Sequence, residues 1–177
     1  MADCMSGRSA PGAIVLLLMS VSVAYANERS LELASSLQFF CAQQPLTFDA
    51  VDAKAKAMQV PVRKDERIPS SGRLRVLSKS WLVPLNSGPY ELSAGVTQSA
   101  DSAAASCAMA ASNVDADEMR LTLVGALNLG APYIDVAAAD GKPRVTAWNY
   151  GADAALWLSG GTAAKPIVHL QLVRSLY

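Results

Sequence analysis

The chain's soft ligands and thiol nucleophiles come to one histidine, His169, and three cysteines, Cys4, Cys41 and Cys107. A zinc site takes about three or four such ligands at short spacing, and a Cys–His pair needs a free thiolate with a third group orienting the imidazole. His169 stands in Val168-His169-Leu170-Gln171-Leu172, an alternating run with no recognisable orienting partner. Asn113-x-Asp115-x-Asp117 opens like a calcium loop. Glu118 then takes the place of the turn glycine, and Val124 that of the closing glutamate, so the loop cannot surround an ion. Asp115 with Glu118 three residues on is helix-capping chemistry instead. No serine occupies Gly-x-Ser-x-Gly and no phosphate-cradling glycine loop occurs. No metal, cofactor or catalytic residue is therefore expected. A hydrolase acting on an envelope polymer would need carboxylates that only the fold brings together.

Charge is the uneven feature. Fifteen basic and fifteen acidic residues cancel, which removes a global electrostatic reason to expect nucleic acid. Yet eight basic residues between Lys54 and Lys79 meet only Asp65 and Glu66, a net +6, while the rest of the chain beyond residue 26 carries −6. Arg63, Lys64, Arg67, Arg73 and Arg75 are the candidate face for an anionic partner, either a protein or an envelope component.

The start of the chain reads as an address. Arg8 precedes an apolar run over 13–23, followed by Ala24-Tyr25-Ala26 and the polar Asn27-Glu28-Arg29, the layout of a cleavable signal peptide. The run is shorter than the roughly 20 residues that span a hydrocarbon core, so an integral membrane protein is not expected. Cleavage after Ala26 would leave residues 27–177 as a single soluble domain, periplasmic or secreted. Its two remaining cysteines, Cys41 and Cys107, form a disulfide most simply in that oxidising compartment. A chain 51% hydrophobic and 17% charged has the composition of a folded core.

Period and punctuation place the elements. Ser30 can cap a helix over 31–43 with Leu33, Leu37 and Phe40 on one stripe, and Thr47 a second helix to about Met58. Residues 59–72, with Pro61, Pro69 and Gly72 around five charges, read as a connector. Strands follow over 81–85 and 90–98 about an Asn86-Ser87-Gly88-Pro89 turn, with Pro84 pointing to a sheet edge. An alanine-rich strand spans 104–110. A helix capped by Asp115 buries Met119, Leu123, Ala126 and Leu127 and closes at Gly130. Strands over 144–150, 154–158 and 166–174 complete the order ααβββαβββ, with His169 on a wet face. The expected fold is α+β: a mostly antiparallel sheet of five to six strands, interrupted by one capped helix. An eight-stranded membrane barrel would need aromatic girdles, and aromatic residues make up 6%.

A helix ending in Phe39-Phe40-Cys41, a Trp81-x-Val83 strand, Cys107 before a capped helix ending Leu127-Asn128-Leu129-Gly130, and Val145-Thr146-Ala147-Trp148 further on resemble a family of small exported proteobacterial α+β proteins with two cysteines and no assigned activity. The resemblance implies a periplasmic address and a disulfide and brings no catalytic residue. The function expected from these residues is a non-catalytic binding or interaction module of the envelope, of accessory or inhibitor type.

Overall fold

The computed structural model describes residues 28–42, 45–68, 74–160 and 166–176. The leader and Arg73 lie outside them. Helix α1 covers 28–40, burying Leu33, Leu37 and Phe40. Ser30, expected as its cap, sits inside the helix and is buried. Helix α2 (Phe48–Ala57) starts as expected, with the Thr47 hydroxyl accepting from the Ala50 N–H at 3.2 Å.

Strands β1 (Val62–Ile68), β2 (Leu74–Val83), β3 (Tyr90–Ser99) and β4 (Ala103–Ser112) form an antiparallel meander. Helix α3 (Ala116–Leu127) leads into a second meander of β5 (Ile134–Val136), β6 (Arg144–Tyr150), β7 (Ala154–Gly160) and β8 (Ile167–Ser175). The two meanders join through their last strands in one eight-stranded sheet of order β1-β2-β3-β4-β8-β7-β6-β5. The first half thus reads as two helices and four strands, the second as one helix and four strands. The α+β class and the antiparallel sheet are as expected; the strand count is corrected to eight, against the five to six expected.

The differences have local causes. The expected connector over 59–72 contains β1, and Arg-Lys-Asp-Glu-Arg hides it because an edge strand with both faces wet needs no apolar alternation. Strand β2 extends back to Leu74 and is interior; Pro84 falls just beyond its end, where a missing N–H breaks no ladder bond. Strand β5 is three residues, too short to show a period. Asp115 caps α3, accepting from the Asp117 and Glu118 N–H groups at 2.9 Å. Asn128, at φ 51°, ends that helix before Gly130 is reached, and Ala126 faces solvent while Met119 and Leu123 are buried.

The core lies on one side of the sheet. Paired residues in antiparallel strands point to the same side, so the row Lys79, Ala94, Cys107, Leu172, Leu156 and Trp148 and the row Trp81, Leu92, Met109, Leu170, Leu158 and Thr146 are both buried under the helices. Cys41, just past α1, is bonded to Cys107 at the middle of β4, one of the two central strands. The small residues Ala105 and Ala111 of β4 are buried on the same side as Cys107. The other side carries Ser78, Ser80, Ser93, Gly95, Ser106 and Ala108, and His169 is exposed there, on the wet face expected for it. Among the described residues no helix is long and apolar enough to cross a membrane.

Helix α3 meets the sheet at Gly160, where an added Cβ would stand 2.0 Å from the Ala116 Cβ. Gly160→Ala should therefore cost about 1–3 kcal/mol by forcing the helix off the strand. Gly125, on the exposed face of α3 with nothing within 4 Å, is the control: Gly125→Ala should stabilise by up to about 1 kcal/mol. Thermal melts that shift in the same direction for both variants would contradict this packing.

Candidate functional site

Where α2 begins, it stands off the sheet. Leu46, Thr47, Phe48 and Asp49 form one wall of a cavity of about 260 Å³. Its floor is the ladder row Leu77, Val96 and Ala105, continued by Leu176 beyond β8. The space has a sequence cause: Ala105 is too short to reach the helix, and the disulfide fixes the neighbouring Cys107 position on the same strand. At the mouth, one step along the strands, are Arg75 and Gln98, paired across β2 and β3. Arg75 and Asp49 are both exposed. Among the described residues neither makes an ion pair, with each other or with another group.

The candidate basic set is split by the fold. Arg63 donates to Glu91 at 2.9 Å on the helix-free side of the sheet. Lys64 lies opposite Ser80, also on that side, and pairs with Glu66 at 2.6 Å. Arg67 takes its place in the ladder opposite Leu77, and Arg73 is outside the described residues. Among the described residues Arg75 lines the cavity, and Arg63 and Lys64 do not.

Three other polar groupings are structural in character. Asp135 accepts from Arg120 at 3.2 and 2.6 Å, from Arg144 at 2.7 Å and from Thr146 at 3.0 Å, tying the edge strand β5 to α3 and β6. The Arg120 hydrogen bond leads the causes that hold the Asp135 carboxyl below the usual aspartate range, with Thr146 and the charges of Arg120 and Arg144 acting the same way. Asp52 of α2 accepts from the buried Lys79 at 2.7 Å and pairs with Lys56 at 2.5 Å. Arg29 is spent on main-chain carbonyls. Asn113, Asp115 and Asp117 do not converge; Asp115 serves as a cap and Asp117 pairs with Arg144. Among the described residues no three His, Cys, Asp or Glu side chains group as a metal would require.

The cavity escaped the residue-level reading. Arg75 stands in the sequence as one of a basic set, and no spacing announces that it shares a mouth with Asp49 of α2. No protein-family model, curated protein or solved structure matches the chain. The class that fold and site define is an α+β single-sheet domain with a cleft between a helix and the sheet.

Proposed function

We propose that the chain is exported and acts as a non-catalytic binding module of the periplasm, seating a small ligand between α2 and the sheet. The observation that carries this reading is the apolar cavity of about 260 Å³ between α2 and the sheet, with charged groups at its mouth. A concave, mostly apolar space with a few polar groups at its rim is what small-ligand sites have in common. The Cys41–Cys107 bond suits an oxidising compartment.

The hydrolytic alternative finds less support. Asp52, Glu66, Glu91, Asp117, Asp135 and Asp153 are each held by a cation, whereas a glycosidase pair needs one carboxyl that stays protonated and a second beside it across a cleft.

Filling the cavity tests the reading. The chain from residue 27 onward and its Val96→Trp variant are incubated with an envelope extract of the host, recovered, and compared by native mass spectrometry. A compound retained by the parent and lost from the variant, with the melting temperature preserved, is the expected result. Retention by neither protein, or equally by both, would overturn it.

A further inference from the structure

Resting on the cavity as the binding site, we infer that its ligand is a zwitterion with an apolar body, an apolar α-amino acid. Three features converge on that class. First, size: 260 Å³ holds roughly nine waters' share of liquid volume, the scale of one amino acid and below the usual range for larger ligands. Second, surface: Phe48, Leu77, Val96 and Ala105 offer the interior no hydrogen-bonding side chain, so the part of the ligand that enters is hydrocarbon. Third, charge: Arg75 and Asp49 share the mouth with opposite signs and leave one another unpaired.

A simple anion would gain from Arg75 and be opposed by Asp49; a simple cation would meet the reverse. A ligand carrying carboxylate and ammonium on one carbon satisfies both. Arg75 presents the planar fork that takes a carboxylate in two parallel hydrogen bonds, and Asp49 accepts from the ammonium. The side chain then points between α2 and the β2–β3–β4 floor. With so few ligand atoms, dissociation constants in the micromolar to millimolar range are expected.

The experiment removes ligand charges and protein charges in turn. Leucine, N-acetyl-leucine and leucine amide are titrated into the chain from residue 27 onward by calorimetry, and in parallel while the amide resonances of Leu77 and Val96 are followed. Leucine should bind about tenfold more tightly than either blocked form and should shift both resonances. Arg75→Gln should abolish the advantage of leucine over leucine amide. Asp49→Asn should abolish the advantage of leucine over N-acetyl-leucine, with N-acetyl-leucine binding unchanged or tightened by loss of the opposing charge and leucine binding weakened. Both positions are exposed, so neither variant threatens the fold. Equal binding of leucine and N-acetyl-leucine to the parent protein would overturn the zwitterion. So would the absence of binding by all three probes while an extract component still shifts Leu77 and Val96, an outcome that preserves the cavity as a site. If neither probes nor extract move those resonances, the cavity reading fails as well.

Discussion

Replacing Arg29 with methionine should lower the unfolding free energy by about 3–5 kcal/mol, since each buried acceptor left without a donor costs about 1–3 kcal/mol, against a total of about 5–15 kcal/mol for an ordinary domain. Arg29 is 6% exposed. Its Nε donates to the Ser112 carbonyl at 2.9 Å, one Nη to those of Ser87 at 2.7 Å and Gly88 at 2.9 Å, and the other Nη to that of Pro89 at 3.1 Å. One side chain on α1 thereby holds the turn between β2 and β3 and the end of β4. Glu32, one helical turn on, accepts from the N–H and hydroxyl of the same Ser87. Methionine would fill part of the volume and leave four carbonyls short of a donor, and unmade buried hydrogen bonds carry most of the penalty. Lysine should recover little, since an ammonium cannot span acceptors set out for a planar fork. Urea unfolding followed by fluorescence supplies the measurement, with the midpoint falling and the slope unchanged. A loss under about 1 kcal/mol for Arg29→Met would show the clamp to be decoration.

Arg29 also marks where residue patterns stop being informative. In the sequence it belongs to the polar stretch that follows a cleavage site, and polarity there reads as exposure. Its burial depends on a turn 58 residues away. Elements with a strong period were legible: Thr47 and the Phe48, Val51, Ala55 stripe place α2, and the alternation of Val168, Leu170 and Leu172 places β8 with His169 outward. Alanine-rich β4 was legible through its position between turn signals, despite alanine's helical preference. Strands β1 and β5 were not, because edge strands are relieved of the burial that writes a pattern into sequence. The cleft is harder still. It is a shortage of atoms where α2 passes over Ala105, assembled from segments near residues 47, 76, 97, 105 and 176, and a gap has no residue type. Its two charges were each visible and their common mouth was not.

Lys79→Met should be comparably severe, about 3–5 kcal/mol, because it strands a buried carboxylate. The Lys79 and Asp52 side chains are 10% and 12% exposed, with Nζ 2.7 Å from Oδ1, and the ammonium also lies 5.5 Å from the centre of the Trp81 ring. Asp52 would keep only Lys56, whose side chain is 67% exposed and adds little in water. The double variant Asp52→Leu, Lys79→Met removes both charges at once and should regain most of the loss, since replacing a buried pair with apolar groups is often neutral or better. Acid supplies an independent readout. Burial pushes the Asp52 carboxyl up, but hydrogen bonds from Lys56 and Lys79, and then their charges, outweigh it and leave the carboxyl below its ordinary value. A depressed carboxyl stabilises the fold fully above the unfolded aspartate range, near about pH 4, and that contribution disappears as the pH falls through the lower folded value. The parent should therefore lose stability more steeply below about pH 4 than the double variant, with the two curves parallel between about pH 5 and 8. Identical acid limbs would mean that Asp52 contributes nothing through its charge, and a double variant as unstable as Lys79→Met would mean that the cost is one of shape.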